Sequence, residues 1–225
     1  MKEIFLSYGI KLSEKQLEKF EKYYQLLTEY NEKFNLTAIK EREEVIIKHF
    51  VDSVYKVDEL KGELLDVGSG GGFPAIPLKI VNENLTVTCL EATGKKCEFL
   101  RIVGCELNLD NFFVINGRAE EIARDIKYRE KFDYCTARAV ARLNTLAEYC
   151  MPFVKIGGKF ISFKGDYKEE LDEAQNAIKV LGGEVEKDVS FSVNDAKRGL
   201  IYVRKITSTD KKYPRGRGKE RKCPL

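Results

Sequence analysis

The stretch LLDVGSGGGFPAIPLKI, residues 64–80, restricts what this chain can fold into more than any other. Leu64, Leu65 and Val67 make an apolar run of strand character, and Pro77, Leu78 and Ile80 begin a helix-like pattern. Four glycines, Gly68, Gly70, Gly71 and Gly72, lie between them. Glycine stabilises neither a strand nor a helix. Such a cluster marks a sharp turn, or a place where another group comes too close to the backbone for side chains. A strand, a glycine turn and a helix in succession open a βαβ unit. In sheets built of such units the ligand lies beyond the carboxyl ends of the strands, which is where this loop falls. Pro74 stands at the expected helix start, where a missing N–H costs little, and the free N–H groups of the first turn face the ligand edge.

The rest of the chain continues that rhythm. Short apolar runs at 63–67, 85–90, 112–115, 132–137, 159–163, 184–191 and 199–206 follow one another, with helical stretches such as KKCEFLRIVGCELN and KEELDEAQNAIKVL between the first six. Strands separated by helices imply right-handed crossovers and a largely parallel sheet. SVNDAKR, between the last two runs, is too short for a crossover, so those two are expected to form an antiparallel hairpin. Upstream, Leu17, Phe20, Tyr24, Leu27 and Tyr30 recur at spacings of three and four within residues 13–34, the mark of one helical face. Ser13 and Gln16 make a capping box at its start. A second helix is expected over 41–56, with Val45, Ile46, Phe50 and Val54 inward. The expected organisation is an N-terminal helical extension over 1–60, an α/β domain over 61–206 and a basic tail over 207–225.

Composition bounds the function classes. Of 225 residues, 43% are hydrophobic and 33% charged, the balance of an ordinary globular chain. No apolar stretch approaches the roughly 20 residues of a membrane span. The start, MKEIFLSYGIKLSEKQ, lacks the apolar core and cleavage site of a secretory signal, so a cytoplasmic location without membrane attachment is expected. The six cysteines, Cys89, Cys97, Cys105, Cys135, Cys150 and Cys223, form no C-x-x-C pair, and His49 is the one histidine. That is a poor set for a metal centre, and reduced core thiols are expected, with Cys97 and Cys105 on one buried helix face. Charge is uneven: seven of the 39 Lys/Arg fall after residue 209, against two of the 36 Asp/Glu. A basic end implies either an anionic partner or a solvated terminus. Interrupted by Pro214, Gly216 and Gly218, the tail is expected to pack into no core.

Two nucleotide-type ligands fit the glycine loop. Gly70-x-Gly72-x-x-Ala75, with Glu91 about 20 residues on, matches the dinucleotide fingerprint. Asp66-x-Gly68-x-Gly70-x-Gly72 instead resembles the first motif of the Rossmann-like methyltransferases. There the loop cradles the methionine part of S-adenosylmethionine and an acid after the second strand binds the ribose. Glu91, directly after TVTCL, suits that role because a carboxylate can accept from both hydroxyls at once. A structural glycine turn is the third reading. The terminal hairpin resembles the reversed seventh strand of the methyltransferase sheet. A dehydrogenase would also need a hydride-handling acid or base, often histidine, and His49 lies upstream in the helical part.

A more specific resemblance rests on an ordered set: NEKFNLTAI, KHFVDS, LLDVGSGGGFPAIPLKI, EATGKKCEFLR, GRAEE, TARAVARLNTL and FKG. In this order they resemble the GidB (RsmG) family, bacterial methyltransferases that form 7-methylguanosine in the 530 loop of 16S ribosomal RNA. The likeness runs from residue 10 to residue 206, and KYPR…KCPL resembles the basic tail of members from Gram-positive bacteria. It implies a Rossmann-like class I methyltransferase sheet, mostly parallel with a C-terminal antiparallel hairpin. It also implies S-adenosyl-L-methionine as methyl donor without a metal, and 16S rRNA or the small ribosomal subunit as partner, with no obligate protein partner. Carried over by motif, Gly68, Gly70, Gly72 and Phe73 line the methionine side of the cofactor. Glu91, Ala92 and Thr93 meet the ribose, Ala119 and Glu120 the adenine, and Arg138 reaches the same pocket. Where the family often reads P-G-L-P-G, this chain has Gly71-Gly72-Phe73-Pro74-Ala75, a change that a helix start tolerates.

Plainer readings stand beside these. Glu120 and Glu121 are also favourable acids for a first helical turn, and Arg138 also reads as a surface arginine. His49 and Asp52, three apart on a helix, read as structural or RNA-contacting, and Tyr23, Tyr24 and Tyr30 as packing residues. No acid–base pair stands out. Guanine N7 has a free in-plane lone pair and can attack a sulfonium methyl without losing a proton, so positioning is the task and no catalytic residue is assigned. Arg138 is a candidate to hold guanine O6, and Lys164 and the tail are candidates for phosphate contacts. A methyltransferase acting on a small molecule or protein, and a non-catalytic nucleotide-binding RNA-binding protein, remain as alternatives. The ribose acid and intact glycine loop favour a cofactor that turns over.

Overall fold

The apolar runs become one seven-stranded sheet in the computed structural model, which describes residues 1–225. β1 (Glu63–Val67), β2 (Thr86–Glu91), β3 (Phe112–Asn116), β4 (Phe132–Arg138), β5 (Val154–Lys164), β6 (Gly183–Val193) and β7 (Ala196–Lys205) lie in the order 3-2-1-4-5-7-6. The first five pair in parallel, and β7 runs antiparallel to β5 and β6. The order reverses between β1 and β4, which opens a crevice at their carboxyl ends. Most of SVNDAKR is itself strand: Val193 pairs with Ala196, and the turn is only Asn194 and Asp195, at φ 47° and 62°. Left-handed conformations at both turn positions match the twist of the strands, and Asn and Asp tolerate them.

The sheet is covered on both faces because its strands alternate. Leu64 packs in one core with Phe20, Phe50 and Phe99, whereas Leu65 and Val67 pack in the other with Leu146 and Met151. Leu200 and Tyr202 divide from Ile201 and Val203 in the same way. The first face carries α1 (Lys2–Ser7), α2 (Glu14–Phe34), α3 (Arg42–Val45), α4 (Asp52–Val54), α5 (Ala75–Val81) and α6 (Gly94–Glu106). The second carries α7 (Ala119–Ile122), α8 (Leu143–Cys150), α9 (Lys168–Val180) and α10 (Lys219–Lys222). No helix is long and apolar enough to cross a membrane.

The N-terminal helices share the sheet's first core. α2 begins at the expected capping box, with Gln16 N donating to Ser13 Oγ at 3.3 Å and Ser13 N to Gln16 Oε1 at 2.9 Å. Gln16 Nε2 also donates to the Ile80 and Val81 carbonyls at 3.2 and 3.1 Å, which ties the start of α2 to the end of α5. The buried stripe runs through Phe20, Tyr23, Leu26 and Leu27; Tyr24 and Tyr30 lie at its border. The helix expected over 41–56 is interrupted: α3 and α4 flank a π-helical stretch, Ile46–Val51. Val45, Ile46 and Phe50 are buried as expected, and Val54 is only partly so. Wider turns of this kind recur at functional sites, and this one leads from His49 to Asp52.

Two expectations need correction. Cys97 is buried but Cys105 and Cys223 are exposed. Eight residues along an α-helix leave the second side chain about 80° round the axis, enough to carry Cys105 off the covered face. The C-terminal tail, expected to be free, is docked. Tyr213 is in the second core, Thr209 is buried, and Glu220 is fully buried. The Arg129 guanidinium donates to the carbonyls of Thr209, Asp210 and Tyr213 at 2.8, 3.1 and 3.0 Å. Arg215 forks onto the fully buried Glu148 at 3.0 and 2.7 Å. These anchors lie on the body, far away in sequence, so the tail's own composition did not reveal them. Removing one partner of a buried pair leaves a buried charge unmatched, at about 3–5 kcal/mol. Arg215→Ala should therefore lower the melting temperature by roughly 6–20 °C in calorimetry, and truncation after Ile206 by more. An unchanged melting temperature would return the tail to a solvated terminus.

Candidate active site

The glycine loop is held from three sides at the carboxyl end of β1. Gly68 N donates to Leu90 O at 2.8 Å. Gly68 has φ 73°, and a Cβ there would lie 2.6 Å from Val140 Cγ2. Gly72 has φ 97°, and a Cβ there would lie 2.8 Å from Tyr23 Oη. Both positions combine a left-handed backbone with a neighbour that leaves no room, so glycine is required at each. Tyr23 Oη donates to Gly71 O at 2.5 Å, which makes this packing tyrosine also an anchor of the loop. From the other side, Glu91 at the end of β2 accepts from Gly70 N at 2.9 Å and from Thr93 N at 2.8 Å, one bond per carboxylate oxygen. Each oxygen keeps a further lone pair.

Beyond the ends of β1, β2 and β3 lies a cavity of about 410 Å³. Gly68, Glu91, Ala92, Ala119 and Glu120 line it, with Leu90, Val140 and Tyr149 as an apolar wall. These five of the ten sequence-derived site residues are thus brought together. Gly70 and Thr93 reach the group through Glu91. Gly72 and Phe73 do not line this cavity. The Phe73 ring stacks on His49 with centroids 4.4 Å apart and lies 5.5 Å from Tyr23.

Arg138, expected in the same pocket, lines a second cavity of about 350 Å³ beyond β4, β5 and β7, shared with Lys48, His49, Asp52 and Arg198. Its guanidinium donates to Lys48 O at 3.3 Å, Asp52 Oδ2 at 3.4 Å and His49 Nδ1 at 3.1 Å, and lies 5.1 Å from the centre of the Phe73 ring. Arg198 Nε donates to the other Asp52 oxygen at 2.9 Å. A guanidinium can only donate, so His49 Nδ1 accepts and the ring proton is on Nε2, which donates to Thr37 Oγ1 at 2.6 Å. Burial first, then the Arg138 charge, pushes the His49 pKa down to about 3. Burial raises that of Asp52, against the pull of Arg138 and Arg198. His49 and Asp52 had no visible partners in sequence because Thr37, Arg138 and Arg198 come from three other segments.

Two more positions complete the crevice. Ala139, directly after Arg138, has φ 57°, a left-handed conformation that costs a non-glycine residue about 1–2 kcal/mol. Asp66, the first residue of the glycine motif, is fully buried; Oδ1 accepts from Thr136 Oγ1 at 2.8 Å while Oδ2 has no partner. Burial pushes its pKa up to about 7, with the Thr136 and Ser69 hydrogen bonds opposing. Lys164, expected at a phosphate, is instead nearly buried, donating to Ala141 O at 2.7 Å and Glu170 Oε2 at 2.6 Å. Two of its three N–H donors thus brace the loop after β4. Val140, Tyr149, Gly218 and Arg221 also line the first cavity and were missed. Only Val140, inside TARAVAR, carried a local signal.

A glycine loop at the reversal of a 3-2-1-4-5-7-6 sheet, with an acid at the end of the second strand, defines a class I methyltransferase. The family model described as "GidB: rRNA small subunit methyltransferase G" matches residues 16–201, and the chain belongs to that family. A relative from Lachnoclostridium phytofermentans, named ribosomal RNA small subunit methyltransferase G, is 48% identical over 226 residues, covering 97% of this chain and 93% of its own. One of the same name from Lactococcus lactis subsp. cremoris is 43% identical over 225 residues, covering 97% and 94%. Among solved structures, M. jannaschii TYW2 in complex with AdoMet shares the fold, with a TM-score of 0.59 at 13% identity over 75% of this chain and 80% of that one. The chain is a methyltransferase of small-subunit ribosomal RNA.

The His49 network predicts a pH signature. The folded value lies below the ordinary histidine value of 6.5. Above pH 6.5 both folded and unfolded chains hold the ring neutral. As pH falls from there toward 3, the unfolded chain takes up a proton that the native one refuses, and His49 increasingly disfavours the native state. In NMR spectra of the folded protein the ring resonance of the single histidine should not titrate between about pH 5 and 8. A midpoint near 6.5 would mean that Arg138 does not occupy Nδ1.

Proposed function

We propose that the chain binds S-adenosyl-L-methionine in the first cavity and methylates N7 of a guanine in the 530 loop of cytoplasmic 16S rRNA, the base entering beside Arg138. The observation that carries this reading is the Glu91 carboxylate, pinned by two backbone N–H groups at the cavity wall with a lone pair to spare on each oxygen. The cavity suits the cofactor. Its volume falls in the range of about 300–1,000 Å³ usual for small-molecule sites. Glycine and alanine admit the ligand at Gly68, Ala92 and Ala119, and the apolar wall suits a purine. Gly68, Gly70 and Gly72 would hold the methionine side, with Phe73 setting the loop from behind. Glu91, Ala92 and Thr93 would hold the ribose, and Ala119 and Glu120 the purine. The family membership and the AdoMet complex of the TYW2 relative in fold support the same choice.

When bound, S-adenosylmethionine supplies an electrophilic sulfonium methyl. Guanine N7 carries no proton, so no side chain has to remove one. His49 agrees with that requirement: both ring nitrogens are engaged and the ring is neutral, which makes it a brace for Arg138 and not a base. Arg138, held by Lys48 O, Asp52 and His49, is suited to donate to guanine O6 and leave the N7 lone pair free. Orientation of this kind can supply up to about 7–11 kcal/mol. Exposed cations of the docked tail, including Lys211, Lys212 and Lys222, offer phosphate contacts that position the RNA without reading sequence.

Labelled S-adenosylmethionine with small-subunit particles or naked 16S rRNA, followed by nucleoside mass spectrometry, should yield 7-methylguanosine. A different methylated product would overturn the substrate assignment and leave the fold untouched. In calorimetric titrations Glu91→Gln should bind S-adenosylhomocysteine about 10- to 100-fold more weakly, because a charge-assisted acceptor is lost. Undiminished affinity would place the ribose elsewhere.

A further inference from the structure

The chain's end returns to the cavity that its glycine loop opens. Gly218 and Arg221 line the first cavity together with Glu120 and Tyr149. Their position is set by the body. Thr145 Oγ1 donates to Glu220 O at 2.9 Å, and the fully buried Glu220 carboxylate accepts from Gly216 N. The backbone beside Arg221 is therefore fixed. The two nearby arginines differ in what their guanidinium groups do. That of Arg215 is consumed by Glu148, whereas Arg221 takes part in no ion pair, although Glu120 lines the same cavity. Burial raises the pKa of the Tyr149 hydroxyl that lines the same cavity, and the Arg221 guanidinium acts against it. Arg221, Tyr149 and Glu120 thus share the lining of one cavity.

Resting on the reading of this cavity as the S-adenosylmethionine site, we propose that Arg221 is a cofactor-binding residue. The C-terminal segment, anchored through Arg129 and Glu148, closes the purine end and lays the Arg221 guanidinium against the ring. A guanidinium is planar and weakly hydrated and stacks on flat aromatic faces, which a lysine ammonium does not match. Leu90 and Val140 supply an apolar wall of the same cavity. The binding is linked to tail docking: whatever factor the docked tail adds to cofactor affinity, the cofactor must add to docking.

The test uses the full chain, Arg221→Ala and Arg221→Lys, titrated with S-adenosylhomocysteine and with methylthioadenosine, which has the purine and ribose but no amino-acid carboxylate. Arg221→Ala should weaken both ligands by the same factor, about 3- to 30-fold. Arg221→Lys should recover little of it, and melting temperatures without ligand should be unchanged. S-adenosylhomocysteine should also slow tryptic cutting within residues 211–222 of the wild type, and much less in Arg221→Ala. Loss confined to S-adenosylhomocysteine would put Arg221 on the carboxylate and overturn the proposal. So would equal affinities of wild type and Arg221→Ala, or full recovery in Arg221→Lys, or tryptic cutting of the wild-type tail at the same rate with and without ligand. A wild type that binds neither ligand would instead overturn the reading of the cavity itself.

Discussion

The glycine loop can keep its course only because its backbone is gripped from both sides. Tyr23 on α2 holds the Gly71 carbonyl, and Glu91 at the end of β2 holds the Gly70 N–H. Neither grip is local. One comes from a helix that precedes the sheet by many residues, the other from the neighbouring strand. The N-terminal helices are thus part of what shapes the site, and their aromatic core, Phe5 on Phe20 on Phe50, supports Tyr23 from behind. Backbone clamped by a buried hydroxyl and a carboxylate has little freedom left to lose when a ligand settles on it, which is the condition for tight binding to a preformed site.

Phe73 divides two environments. On the cavity side of the loop stand Glu91, small residues and an apolar wall. On its other side His49 stacks on the Phe73 ring, with Arg138 nearby, and the second cavity begins. The electrostatics of the two differ. The first cavity balances Glu91 and Glu120 against Arg118 and Arg221; in the second, with Lys48 and Lys164 paired to Glu44 and Glu170, Arg138 and Arg198 share the single lining acid Asp52 and leave a net positive charge. A polyanion is drawn toward the second side. Within it, Asp52 and the neutral His49 hold the Arg138 guanidinium in one plane, which a freely solvated arginine would not keep.

How much of this was legible in the sequence depends on the range over which each feature is decided. The strands were readable because alternation and turn residues are local: β1 falls on residues 63–67 as expected, and the hairpin followed from a connection too short to cross over. Gly68, Glu91, Ala92, Ala119 and Glu120, which line the first cavity, were readable as neighbours because each lies at or just after the end of one of the first three strands. The misreadings share one cause. Arg138 follows β4 as expected, but its side chain is aimed by Asp52 and His49, which lie far away in sequence. Lys164 was a candidate for a phosphate contact because Glu170 and Ala141 are its partners only in the folded chain. The tail was expected to pack into no core because Arg129 and Glu148 are invisible from its composition.

By itself the sequence determined the order of elements, the glycine turn and its acid, and through them the class of the protein. These depend on backbone conformation and on hydrophobic periodicity, which act over a few residues at a time. The tertiary structure alone decided which cations are free and which are spent. Arg215 and Lys164 are locked into ion pairs and Arg138 is aimed by a neutral histidine, whereas Arg221 stands at the cavity without a counterion. Charge acts through space, and its partners are chosen by packing, so a string of basic residues cannot announce which of its members will meet a ligand.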